Sequence, residues 1–320
     1  MKKFLVRLLI FLLPVIVLAY PVDVFISQGL RHSSLYEGEI QVWDDIYSGN
    51  LKSECLIYGS SRTWVHFDAI LMEKITGVSI YGLGMDAHNF WMQKLRHNEM
   101  LKHNPKPKTI IYSLDMFTLE KRSDLFNRNQ FLPFMLWNRD IEKATESYEG
   151  FTKPDFYIPM YRYIGQFSDV KSGVKEYIQP DDPFRIKGYR GMDWEWNSDL
   201  DKAKATIGKY QVKLDTASVR LFGEFLKECK QEDISLIFVY SPEYIDGQQF
   251  IEDRDKVMNM YRNWAGEYDI PFLDYSADSI SYNRDYFYNS MHMNIKGSQL
   301  FSEKLAYDLL KNNLLKAQDK

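Results

Sequence analysis

The sequence predicts an α/β fold, a parallel sheet with helices packed on both faces and a long insertion in its middle. Three observations predict it. Short apolar runs, Leu56-Ile57-Tyr58, Val78-Ser79-Ile80-Tyr81 and Thr109-Ile110-Ile111-Tyr112, alternate with segments of helical spacing and short connections. That β-α-β-α-β order implies parallel strands with right-handed crossovers. The same rhythm returns after residue 210, around Ile234–Tyr240 (ISLIFVY), the most strand-like run of the chain and one suited to a strand buried on both faces.

The N-terminus comes first in the chain. Lys2, Lys3 and Arg7 precede an apolar run, Leu8–Val22, and with its flanks the segment approaches the roughly 20 residues of a membrane span. The positive residues ahead of it predict an inside N-terminus and a body facing outward. Val17-Leu18-Ala19 is a poor cleavage site, so residues 1–27 read as an uncleaved transmembrane signal anchor rather than a removed signal peptide. No cysteine follows the run, which excludes a lipoprotein. The expected location is a cell membrane, single-pass, with the domain extracytoplasmic. Residues 28–50 read as a polar linker.

The α/β domain is expected over 51–117 and 211–320. Strand 55–58 ends in Gly59-Ser60-Ser61-Arg62. Residues 63–75 carry helical spacing through Val65, Ile70, Leu71 and Ile75, with Gly77 as the stop. After the second strand comes Gly82-Leu83-Gly84-Met85-Asp86, with Asp86 as the expected N-cap of a helix over 87–103. Residues 118–210 hold Trp137, Trp194, Trp196 and many tyrosines without a strand period, and read as an insertion of the kind that caps a site or binds a partner. Thr216–Gln231 and 257–268 read as helices, 270–274 as an edge strand, and a last helix runs from Ser298 to about Leu314.

Composition narrows the function. A net charge of −4 with no basic patch argues against a nucleic-acid partner. The 49 aromatic residues (22 Tyr, 20 Phe and 7 Trp) fit packing, or a glycan-facing surface. Cys55 and Cys229 are the only cysteines and read as buried thiols, though an exported protein could pair them. No His/Cys/Asp cluster has ligand spacing, no phosphate loop is present, and neither a metal nor a cofactor is expected. Gly82–Ala87 formally fits a dinucleotide fingerprint, but no acid ends a later strand where ribose recognition wants one.

A serine at a strand-end turn becomes a nucleophile only beside a base. Of the six histidines, His66, His97 and His103 read as helical and surface-facing, and His88 as a lesser candidate. His292 stands out, in the polar turn Tyr288–Asn294 before the last helix. The Gly-Ser-Ser turn followed far downstream by Phe287-Tyr288-Asn289-Ser290-Met291-His292-Met293-Asn294-Ile295-Lys296-Gly297 resembles the SGNH (GDSL-like) hydrolase superfamily. It looks closest to the membrane-anchored envelope branch, with the D-alanine transfer protein of teichoic acid synthesis and the alginate-type polysaccharide O-acetyltransferases. The resemblance implies a three-layer flavodoxin-like parallel sheet. It places the nucleophile at Ser61, with Ser60 as the alternative, the base at His292 and an oxyanion donor at Gly84. It also implies a surface glycan or acylated polymer as substrate and a membrane-bound O-acyltransferase as a partner. Two departures qualify it. The family's usual acid lies three residues before the histidine, and here that place is held by Asn289, leaving Asp285 as a more distant substitute. Ser113-Leu114-Asp115 stands where the family carries Gly-x-Asn-Asp, keeping an acid but losing the asparagine side-chain donor, which Asn89 could supply. The functional expectation is therefore Ser-His acyl-ester chemistry, as O-acyl (acetyl) transferase or esterase. The alternative is a catalytically degenerate module of the same fold that binds an acyltransferase partner or a glycan.

Overall fold

In the computed structural model, residues 2–87, 89–180 and 182–315 are described. Helix α1 (Lys2–Arg31) and helix α2 (Glu39–Tyr47) precede the sheet. Strand β1 (Cys55–Tyr58) leads into α3 (Ser61–His66) and α4 (Ala69–Thr76), then come β2 (Ile80–Gly82), α5 (Phe90–His103) and β3 (Thr109–Ser113). Four helices follow: α6 (Arg139–Thr145), α7 (Lys153–Tyr157), α8 (Phe167–Ile178) and α9 (Asp199–Ile207). The alternation resumes with α10 (Thr216–Gln231), β4 (Ser235–Tyr240), α11 (Ile245–Phe250), α12 (Arg254–Tyr268), β5 (Phe272–Asp274) and α13 (Ile295–Lys311).

The five strands form one parallel sheet in the order β2-β1-β3-β4-β5, the doubly wound order whose switch point lies between β1 and β3. Pleating sends successive side chains to opposite faces. Cys55, Ile57, Ile111, Ile237 and Val239 join one core with Ala69 and Met72 of α4 and Phe301, Leu305 and Leu309 of α13. On the other face Tyr58, Tyr112 and Phe238 meet Phe90 of α5 and Phe222 and Phe225 of α10. Full burial of each such side chain stabilises by roughly 1.5–3 kcal/mol. The exposed edge at β2 is covered: Gly82 N–H donates to Lys187 O at 2.9 Å, which removes a template for aggregation.

Chain contacts divide the protein into two units, Met1–Asp44 with Ser123–Phe184, and Asp45–Arg122 with Arg185–Lys320. The boundaries therefore differ from those expected. The 28–50 linker is largely helical, because Ile40, Val42, Trp43 and Ile46 form a buried face. Residues 185–210, expected in the insertion, fold with the sheet, tied to β2 through Lys187. The helix expected over 63–75 is broken at Phe67-Asp68, where Asp68 caps α4 by accepting Leu71 N–H. Asn89 rather than Asp86 stands at the N-cap of α5. The transmembrane span expected within residues 1–27 is not found: among the described residues, no helix is long and apolar enough to cross a membrane. Several side chains of the apolar run, from Leu8 to Ile16, lie outside the described residues.

Candidate active site

The turn after β1 is built by crowding. Gly59 has φ +142°, where a side chain is strained, and an added Cβ would lie 2.7 Å from Ser113 O. Gly84 is equally confined, since a Cβ there would lie 2.6 Å from Thr63 Cβ and 2.8 Å from Ser60 O. Backbone bonds from Leu83 to Ile57 (2.7 Å) and from Met85 to Gly59 (2.9 Å) stitch the loop after β2 onto this turn. The Gly84 carbonyl accepts from Arg96 at 2.8 Å and from Arg185 at 3.3 Å.

The two serines separate cleanly. Ser61 Oγ lies 2.8 Å from His292 Nε2. Ser60 Oγ instead donates to Asp115 Oδ2 at 2.6 Å, tying the turn after β1 to the turn after β3. Asp115 is buried and its other oxygen accepts from Phe117 N–H and Thr118 Oγ1. On geometry, Ser61 has the base and Ser60 is part of the frame.

His292 Nδ1 lies 3.1 Å from Asn289 Oδ1. The same oxygen accepts Met291 N–H at 3.0 Å and His292 N–H at 2.9 Å. Those two backbone donors fix which end of the amide faces the ring. Nδ1 must then carry the hydrogen, leaving the Nε2 lone pair on Ser61. Asp285 does not substitute as the orienting acid. It is exposed, and the contact it makes here is through its backbone carbonyl, which accepts from Asn294 at 2.8 Å. His88 lies outside the described residues.

His66 was expected on the surface and is wholly buried beside the site. Its Nε2 accepts Met293 N–H at 3.0 Å, so its Nδ1 donates to Ser241 Oγ at 2.8 Å. Its ring meets that of His292 edge-on, with centroids 6.2 Å apart. His97, also expected outside, is buried between Tyr58 and Phe225. Arg62, next to the nucleophile, is buried as well. It donates to Ser241 Oγ at 2.8 Å and to the Ser241 carbonyl, faces Glu243 at 3.9 Å and lies over the Tyr240 ring. The signal that could have found His66 and Arg62 is their i, i+4 spacing with Ser61-Arg62 opening a helix, which puts both on the face turned toward the sheet.

Burial and the Arg62 charge hold His292 down to about 3, although the residue as a whole is only half-buried. Its ring is packed against Tyr288, parallel at 5.5 Å, and against His66. Burial first, then Arg62 and His292, hold His66 well below its ordinary 6.5. Both rings thus stay neutral in the fold, while the unfolded chain takes up protons as pH falls below about 6.5. The stability they contribute is complete above 6.5 and falls on acidification, by about 1.4 kcal/mol per pH unit for each ring. Urea unfolding at pH 7 and pH 5 is expected to show this loss. In His66→Asn the loss is expected to be smaller by about one ring's share. The same pH dependence in both proteins would show that His66 is not held neutral.

Two further features lie in segments that adjoin the loops of the site. Asn89 is buried with neither side-chain oxygen nor nitrogen hydrogen-bonded among the described residues, a cost of about 1–3 kcal/mol unless a ligand completes it. The segment 192–197 is bonded to the His292 turn at both ends, Ile295 N–H to Met192 O and Asn197 N–H to Tyr288 O. It carries Trp194, exposed and edge-on to Tyr288 at 5.2 Å. The two cysteines are free and buried, each thiol pushed up to about 12 by burial.

No protein-family profile and no curated protein matches the chain. Solved structures that it is similar to include a protein from Desulfitobacterium hafniense assigned to the G-D-S-L lipolytic family, with 10% identity and a TM-score of 0.37 over 79% of this chain and 98% of that one. An acetyl xylan esterase shares 11% identity and a TM-score of 0.40 over 80% and 99%. A Bacteroides fragilis protein assigned as an acylhydrolase shares 12% and 0.33 over 81% and 89%. Likeness at this level carries over neither activity nor substrate.

Proposed function

We propose that the protein is an SGNH-like cell-envelope enzyme, attached to the membrane through α1, that moves an acyl group, acetyl foremost, to or from a glycan hydroxyl. The observation that carries the reading is the line Ser61 Oγ–His292 Nε2 at 2.8 Å with Asn289 Oδ1 on the far ring nitrogen. His292 takes the Ser61 proton as Oγ bonds to the acyl carbonyl carbon. The carbonyl oxygen becomes an oxyanion, for which the N–H groups of Ser61 and Gly84 and the Asn89 carboxamide are the donors, each worth about 3 kcal/mol when aligned. His292 then passes the proton to the departing alkoxide, leaving an ester on Ser61. Water as the second acceptor releases a free acid, and a sugar hydroxyl completes a transfer. Trp194 supports a sugar, since its exposed indole face beside the His292 turn suits stacking on a ring. The α1 attachment is supported by exposed Phe4, Phe11, Leu13, Val17 and Leu18.

A second reading rests on one specific observation. His292 has the Asn289 carboxamide rather than a carboxylate on its far ring nitrogen, so nothing there offsets an imidazolium charge, as suits a degenerate module that binds a membrane-bound O-acyltransferase or a glycan. Fluorophosphonate labelling followed by peptide mapping separates the two. Label on Ser61 is the expected result. A native protein that takes none at Ser61 or Ser60, under conditions that label an esterase, sinks the catalytic reading.

A further inference from the structure

In the unit formed by Met1–Asp44 and Ser123–Phe184, large exposed side chains stand beside α1 between Tyr20 and Phe25. Trp137 stacks on Tyr20 at 5.3 Å, and Tyr177 meets Phe25 edge-on at 4.9 Å. Trp137 donates its backbone N–H to Phe156 O at 2.7 Å and its indole N–H to Tyr157 O at 3.3 Å, which brings Tyr157 and Ile158 alongside. Trp137, Tyr157, Ile158, Tyr161, Tyr177 and Ile178 are between 41% and 75% exposed.

This level is where the apolar run of α1 stops, at Val22, and the first acidic residue, Asp23, appears. Asp23 is buried. It receives two bonds of 2.7 Å from Arg162 and the Met160 N–H at 2.6 Å, and Ser27 also bonds to it. An isolated carboxylate near hydrocarbon is expensive, and a bidentate guanidinium partner inside the protein removes most of that cost. Tyrosine and tryptophan prefer the water–hydrocarbon boundary, where ring and polar tip are both accommodated. A cluster of apolar and aromatic side chains this exposed is otherwise a liability in water.

We propose that these residues form a collar seated in the headgroup–acyl boundary of a lipid bilayer, with the apolar run of α1 directed into the membrane. Asp23–Arg162 is the internal pair that pins the collar to α1. The proposal rests on the membrane attachment through α1 inferred above.

The test uses the full chain in phosphatidylcholine/phosphatidylglycerol vesicles, with Ile158→Cys, Ile178→Cys and Phe11→Cys carrying an environment-sensitive fluorophore. Cys55 and Cys229 are buried, with thiols pushed up to about 12, and stay unlabelled in the folded protein. The 158 and 178 probes are expected to lose most of their fluorescence when a shallow spin-labelled lipid replaces the plain one, and the Phe11 probe when a deep-labelled lipid does. Quenching at Phe11 without quenching at 158 and 178 keeps the attachment and overturns the collar, leaving that face to a protein partner. No quenching at any of the three overturns both.

Discussion

Ser61→Ala and His292→Ala are each expected to bring acyl-ester turnover to the same low level, and the double variant no lower. The two side chains act as one unit through the 2.8 Å Ser61–His292 bond, so their losses do not add. The size of the loss is set by what is missing. In a complete serine triad, removal of the nucleophile or base costs roughly 10⁶ in kcat. An asparagine in the carboxylate's place forgoes up to about 10⁴ of that. Ser61 and His292 together therefore stand at least about 10²-fold above the background given by binding and the oxyanion donors. The measurement is acetyl-ester turnover by the wild type and the variants, with urea midpoints to establish that all are folded. Equal rates in all of them would eliminate the mechanism. Turnover lost in Ser60→Ala and kept in Ser61→Ala would transfer the role to the serine that the structure ties to Asp115.

The sheet was legible because its strands are buried on both faces. A strand such as Ile234–Tyr240 is apolar throughout, and that pattern needs no knowledge of its neighbours. Parallel pairing followed from connection length and handedness. What failed were local details decided by tertiary contact. Asp68 caps α4 at a break that periodicity cannot register. Residues 185–210 look like the insertion in composition, yet they cover the β2 edge and strap the His292 turn through backbone bonds, which leave no side-chain signature.

The site divides along the same line. Ser61, His292, Asn289 and Gly84 sit in turns whose small or polar residues are unusual in sequence, and the structure gathers them at the carboxyl end of β1 and β2 and before α13. Asp285 was a candidate through sequence proximity alone, and the turn geometry leaves it exposed. His66 reads as surface-facing in the sequence, and Arg62 gives no signal, because charged and titratable side chains on a helix are usually solvated. Here the partners that satisfy them, Ser241, Glu243 and the Met293 amide, come from 175 or more residues away in the chain.

Asn289→Asp is expected to raise turnover, by up to about 10⁴-fold, and to move the acid limb of kcat/KM upward. Asn289 Oδ1 already accepts Met291 N–H, His292 N–H and the imidazole Nδ1–H, and a carboxylate oxygen can accept the same three bonds. The orientation and tautomer of His292 would therefore persist, and only the charge changes. That charge acts on the proton transfer from Ser61. As Nε2 takes the Ser61 proton the ring becomes an imidazolium, in a pocket whose burial and whose Arg62 cation hold the wild-type ring down to about 3. A negative group at the far nitrogen favours the protonated ring and so raises its pKa. A stronger base takes the serine proton more readily. The wild-type limb is expected well below the ordinary histidine value of 6.5, and that of the variant closer to it. A pH–rate profile of both proteins, with NMR titration of the His292 ring, measures the two shifts together. An unchanged or lower rate with an unmoved titration would remove Asn289 from the orienting position.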